Sequence, residues 1–305
     1  MTIAYITHPD CLLHEIGNHH PERPQRLHAI HDQLIRSGLE FILIPEEAPL
    51  VETVHLERVH NQGFVADLFR RAPNRGILTL DDDTIMMPKT LNAARRAAGA
   101  VVRGVDLVMD ENFTAAFCAV RPPGHHAERD RAMGFCYFNN VAVGAAYALE
   151  VKGLERVAII DFDVHHGNGS EDIFRNDSRV LFCSSFQSPF YPFSGAETDS
   201  EHIVNITLPA GSGGELFREQ IERHWMPALH DFQPQLLLIS AGFDAHVEDE
   251  MAQLCLQDAD FAWVTARIRE IADRYAQGRI VSTLEGGYSL NALGRSVAAH
   301  LDALL

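Results

Sequence analysis

Basic residues are scarce in this chain: 25 lysines and arginines stand against 42 aspartates and glutamates, a formal charge of -17 at pH 7. A surface of that sign disfavours nucleic acid and anionic membranes and suits cationic substrates. Long apolar runs are missing as well, because polar or charged residues interrupt every one. The opening MTIAYITHPD has neither a basic start nor an extended apolar segment. Neither a membrane span nor a secretion signal is expected. The five cysteines, Cys11, Cys118, Cys136, Cys183 and Cys255, are scattered and form no C-x-x-C pair. That excludes a cysteine zinc site and points to reduced thiols, so a soluble cytoplasmic protein is expected. No Pro/Ser/Gly-rich linker, low-complexity tract or internal repeat divides the 305 residues. Residues 1–305 therefore read as one domain whose 46% hydrophobic content can build a substantial core.

What is present is an alternation of strand and helix patterns. Thr2 to Ile6 and Phe41 to Ile44 suit strands, with a helix between them that starts after Pro24. Short helical patterns lie between Val51 and Arg71, and a long Ala/Val-rich helix runs from Pro88 to about Met109. Later strands are expected at Phe113 to Val120, Val157 to Asp161, Val180 to Ser184, Ile203 to Leu208, Leu236 to Ser240 and Ile280 to Leu284, with helices between most of them. Such alternation implies an α/β fold with a mainly parallel sheet covered on both faces.

Four strands run into polar clusters at their carboxyl ends: RPPGHH, DFDVHHGNG, SAGFDAH and LEGGY. Parallel sheets bind ligands beyond those ends, so a shared edge would gather the four into one site. Alternate residues of an extended chain share a face, which turns Asp161, Asp163 and His165 roughly the same way. Asp163, His165 and Asp244 make a one-imidazole, two-carboxylate set that leaves a coordination position open, as a catalytic zinc site requires. The same residues also fit a plainer reading, with Asp244 capping a helix and Asp163 bonding its loop; spacing alone does not separate the two. His125 and His126 are suited to proton transfer, with Asp161 and Asn168 available to orient their far nitrogens. Tyr288, after two glycines, can place a hydroxyl beside a substrate carbonyl.

Taken jointly, the motifs resemble the zinc-dependent histone deacetylase and acetylpolyamine amidohydrolase family, of the arginase/deacetylase fold. The resemblance runs in unbroken order from HPERPQR through RPPGHHAERDRAMGFCYFNNVAV, DFDVHHGNG and SAGFDAH to LEGGY. It implies a three-layer fold with an eight-stranded sheet and a zinc site of Asp163, His165 and Asp244, with ferrous iron as the other metal that such ligands accept. It also implies His125 and His126 as the acid/base pair, Asp161 behind His125, and Tyr288 polarising the acyl carbonyl. Asn168 stands where class I members have aspartate, which resembles the class II branch. Further implied are an acetate or substrate channel touching Arg26, Gly134, Phe135 and Met251, and structural potassium. One potassium site is expected near Asp161, Asp163, His165, Ser184 and Ser185, and a second near Phe174, Asp177, Val180 and His202.

The implied reaction is hydrolysis of acetyl groups from acetyl-lysine side chains of proteins or peptides, with acetylpolyamines as the alternative substrates. An arginase-like dimetal enzyme would need carboxylates where this chain has Gly167 and Gly242. A catalytically dead acetyl-lysine-binding module would lack the tyrosine or a metal ligand, and this chain keeps them all. Acetylpolyamine enzymes of the family use an acidic gatekeeper at the pocket mouth. The matching position here is the apolar Met251, which favours acetyl-lysine.

Overall fold

The computed structural model describes residues 2–17, 20–110 and 113–305. The chain opens with strand β1 (Ile3–Thr7), helix α1 (Gln25–Ser37), strand β2 (Ile44–Glu47) and short helices α2 (Thr53–Leu56) and α3 (Gln62–Arg71). A small antiparallel pair, β3 (Leu78–Thr79) and β4 (Ile85–Met86), precedes helix α4 (Thr90–Asp110) and strand β5 (Ala115–Cys118). Then come α5 (Asn140–Glu150), β6 (Val157–Asp161), α6 (Asn168–Phe174), β7 (Val180–Gln187) and β8 (Ile203–Leu208). The remainder is α7 (Gly214–Gln220), α8 (Met226–Phe232), β9 (Leu236–Ala241), α9 (Asp258–Tyr275), β10 (Ile280–Leu284) and α10 (Leu290–Leu304).

Eight strands form one sheet in the order β2-β1-β5-β10-β9-β6-β7-β8, and every neighbouring pair is parallel. This is the arginase/deacetylase-like α/β architecture. Strands β5, β6, β7, β9 and β10 are buried at every residue, which requires cover on both faces and explains their Val, Ile and Leu content. Helices α4 and α5 pack together, and α10 packs between α1 and α9. Helix ends follow local chemistry. Gly38 closes α1 in the left-handed region (φ 76°), Asn139 Oδ1 accepts the Ala142 N–H (3.0 Å) at the start of α5, and Gln257 with Asp260 forms a capping box on α9.

Two expectations need correction. The second strand is not Phe41 to Ile44 but Ile44–Glu47; Phe41 ends a 3₁₀ turn and is 87% exposed. The pairing partner decided this, because β1 accepts Ile44 to Glu47 in register at the sheet edge although Pro45 and two glutamates are poor strand formers. The Gly-rich PAGSGG predicts a helix running to about His230, and that helix is interrupted by a π turn at Ile221–Trp225, just before Pro227, whose missing N–H cannot extend the regular ladder.

Candidate active site

The four strands that carry the polar clusters, β5, β10, β9 and β6, are consecutive neighbours in the sheet. Their ends are also level. Cys118 pairs with Thr283, Thr283 with Ser240 and Ser240 with Asp161. Each chain leaves its strand at the same height, so the loops after them meet over one edge. The result is a pocket of about 160 Å³ lined by His125, His126, Gly134, Phe135, His165, Met251 and Tyr288, with Asp83, Pro123, Phe190, Tyr191 and Gly286 completing the wall.

Asp163, His165 and Asp244 converge at the pocket floor, with ligand atoms within 4.8 Å of one another; among the described residues this is the one cluster of three or more such groups. Asp163 Oδ1 accepts the His165 N–H and lies 2.9 Å from His165 Nδ1, and Asp163 Oδ2 accepts the Gly286 N–H (2.8 Å). Asp244 Oδ1 accepts the Val164 N–H (3.0 Å), whereas Asp244 Oδ2 is buried and accepts no hydrogen bond among the described residues. His165 Nδ1 is 3.3 Å from that oxygen. Burial lowers the affinity of His165 for a proton, but the two carboxylates outweigh it and lift its pKa to about 10. The attraction that draws a proton there is the one a dication would satisfy, and an orphaned buried carboxylate oxygen is otherwise costly. A Cβ at Gly286 would overlap Asp244 Oδ2, so glycine keeps this cradle open. The set fits a divalent metal. It does not fit two: a Cβ at Gly167 or Gly242 would overlap Asp161 Oδ2 or Asp163 Oδ2, so neither position could carry a further carboxylate on this backbone.

The paired histidines stand beside this set with ring centres 4.0 Å apart. His125 Nδ1 is 2.9 Å from Asp161 Oδ2, and His126 Nδ1 is 2.7 Å from Asn168 Oδ1. Burial would lower the pKa of His125, yet Asp161 and Asp163 outweigh it and pull it up to about 10. His126 shifts the other way: burial, then the positive charges of His125 and His165, hold it well below its ordinary value. Two adjacent rings therefore differ in charge because their carboxylate neighbours differ.

Tyr288 is half-buried, its ring edge-on to Phe135 (6.1 Å) and 4.8 Å from the Arg26 guanidinium. Burial raises its pKa well above the ordinary value, so the phenol stays a donor. Its hydroxyl makes no hydrogen bond among the described residues. Arg26 is wholly buried, donating to Gly287 O (2.7 Å), Glu22 Oε1 (3.1 Å) and Glu285 O. Gly134 and Phe135 both take positive φ, 56° and 66°, in a turn closed by Met133 and Cys136.

The residues of the first expected potassium site also lie together. Asp161 pairs with Ser184 across β6 and β7, Asp161 Oδ1 accepts the Asp163 N–H (3.2 Å), and Ser185 is buried next along β7. At the second, Phe174 O accepts from Asp177 N (3.0 Å) and sits 3.2 Å from His202 Nε2, while Val180 N donates to Asp177 O (3.1 Å).

Three contributors were given no role from the sequence. Glu285 Oε2 accepts the N–H groups of Gly124 (2.6 Å) and His125 (3.1 Å), tying the histidine loop to β10. Asp249 accepts three, from Tyr288, Ser289 and Met251. Glu128 reaches Asn168. Backbone acceptors have no spacing rule, so the sequence carried no signal beyond a carboxylate near each cluster.

A histone deacetylase domain model matches residues 20–304. The chain is 40% identical to uncharacterized protein slr0245 of Synechocystis over 99% of both chains. It is 36% identical to the histone deacetylase-like amidohydrolase of Pseudomonas aeruginosa, over 88% of this chain and 73% of that one. A solved structure, the HDA15 HD domain, superposes with a TM-score of 0.92 at 31% identity, covering 99% of this chain and 89% of that one. Fold and relatives together define a hydrolase of linear amide bonds on the arginase/deacetylase scaffold. Within that class the chain belongs to the histone deacetylase family, in which zinc dependence is the norm.

Proposed function

We propose that this deacetylase removes acetyl groups from acetyl-lysine side chains of proteins or peptides, with residues 1–305 acting as one catalytic domain. The carrying observation is that the pocket wall at Met251 and Phe135 is apolar beside a donor set that accepts a single metal. The apolar side chains of Met251 and Phe135 suit the neutral methylene stem of lysine.

In this reading Asp163, His165 and Asp244 hold zinc, or ferrous iron in its place. When bound, the ion supplies Lewis acidity to the scissile carbonyl and the attacking water. His126, neutral and turned by Asn168, takes the proton of that water on Nε2. His125, kept positive by Asp161, steadies the negative charge that develops, and the pair returns a proton to the departing lysine amine. Tyr288 donates to the carbonyl oxygen as it gains charge. Potassium is assigned to the two places named above, around Asp161 and Ser184 and around Phe174 and His202. Arg26 closes the inner end of the acetate path. The five unpaired thiols suit a reducing compartment such as the cytoplasm; no helix among the described residues is long and apolar enough to cross a membrane.

The test compares rates on an acetyl-lysine peptide and on acetylspermidine with the same zinc-loaded preparation. A higher kcat/KM on the peptide is expected. A higher value on acetylspermidine would transfer the assignment to small amines.

A further inference from the structure

Asn168 presents two chemically opposite ends to its neighbours. Its Oδ1 is 2.7 Å from His126 Nδ1, and its Nδ2 donates to Glu128 Oε1 at 2.7 Å, with Met133 Sδ at 3.4 Å on the same side. An amide can be turned end for end with little change of shape, and the hydrogen-bond network decides which way it points. Here Glu128 decides. The reversed amide would set its carbonyl oxygen against a carboxylate oxygen, two acceptors with no proton between them. Glu128 is itself anchored: its N–H donates to Arg131 O (2.9 Å), and its carbonyl lies 2.8 Å from Nδ1 of buried His60.

The direction of the amide has a chemical consequence. With Oδ1 facing the ring, His126 must carry its proton on Nδ1, which leaves the Nε2 lone pair free. With the amide reversed, the proton moves to Nε2 and the base is lost. His125 needs no such arrangement, because either oxygen of Asp161 accepts. We propose that Glu128 is the positioning residue of His126, fixing its tautomer through Asn168. The proposal rests on the roles given above to His126 and the metal set. Glu128 touches neither substrate nor metal ligand and acts only through the amide.

A four-protein cycle tests it: wild type, Glu128→Met, Asn168→Asp and the double variant. Glu128→Met should lower kcat by about tenfold or more with KM little changed, because the amide no longer has a preferred direction. Glu128→Gln, whose own amide can turn to accept from Asn168 or to donate to it, should lose kcat in the same direction, because only an acceptor-only carboxylate excludes the reversed amide. Asn168→Asp alone puts a carboxylate against Glu128 and should also lower kcat. Adding Glu128→Met to Asn168→Asp should then raise kcat, since a symmetric carboxylate needs no orienting and the like-charge contact is gone. A substitution harmful in one background and helpful in the other is the expected sign reversal. Losses of the same direction in both backgrounds would overturn the proposal and reduce Glu128 to loop support.

The ¹⁵N shifts of the His126 ring give a reading independent of turnover: protonation on Nδ1 in the wild type, and a shift towards Nε2 in Glu128→Met. An unchanged tautomer would also overturn the proposal. If no protein in the cycle hydrolysed acetyl-lysine while the tautomer still moved, the assigned function would fail and the positioning role would stand. Glu128→Ala, read in the same way, replaces Glu128→Met should that variant not fold.

Discussion

Tyr288 best separates a deacetylase from a relic that only binds metal. Its hydroxyl has no hydrogen-bond partner among the described residues and its pKa is raised by burial, so it is a spare donor in the pocket. A donor of this kind bonds most strongly when the carbonyl oxygen carries charge, so its loss acts on kcat more than on KM. Tyr288→Phe should fold, keep its metal and turn over at least about a hundredfold more slowly. Steady-state kinetics check this, and a loss of only a few-fold would make the tyrosine a packing residue. At this scale the sequence was most readable where chemistry is carried by a side chain in a motif: His125, His126 and His165 line one pocket, and the ligand atoms of Asp163 and Asp244 lie within 4.8 Å of that of His165. It was silent on Asp83, Phe190 and Tyr191, which reach the wall from loops whose paths no periodicity fixes.

The loops at the strand ends are held by carboxylates that grip backbone rather than by packing alone. Asp249, buried, accepts from Tyr288 N (2.6 Å), Ser289 N (2.9 Å) and Met251 N (3.0 Å), so one side chain joins the pocket mouth to the loop that bears the tyrosine. Asp249→Ala would orphan three N–H groups, a loss of about 3 kcal/mol at about 1 kcal/mol each. It should also lower kcat on acetyl-lysine by more than about tenfold, because a loop displacement near 1 Å is enough to spoil alignment. A denaturation midpoint and kcat, measured on the same sample, check the two effects together; lost stability with native kcat would make Asp249 only a loop tie. Element positions were legible where burial dictates composition, as in β6 and β9, which run without a polar interruption until their ends. They were not legible at β2, where pairing to β1 overrides Pro45 and two glutamates, nor at the π turn before Pro227.

For the whole molecule, the buried polar groups away from the pocket set a stability profile of their own. Burial pushes His300 down to about 3 and His60 down to about 4, from an ordinary 6.5. His300 is held neutral between Thr265 Oγ1 (2.6 Å) and Ser282 Oγ (2.9 Å), joining α9 and β10 to α10. The unfolded chain takes up protons on both rings below about pH 6.5 while the folded chain does not until about 3 to 4, so stability falls as pH drops through that window. The slope is roughly 1 kcal/mol per pH unit for each ring. Urea midpoints of the metal-free protein between pH 7 and 4 should show the decline, and His300→Asn should make it shallower; an unaltered slope would remove His300 from the account. At this scale the parallel sheet follows from strand and helix alternation, and the pocket follows from four level, neighbouring strand ends. The measurement that bears most directly on the central claim is turnover of a fluorogenic acetyl-lysine peptide through chelation and zinc titration. Activity should vanish when the metal is removed, return in proportion to added zinc and saturate at one ion per chain. Turnover that survives complete chelation, or no turnover in protein carrying one zinc ion, would contradict it.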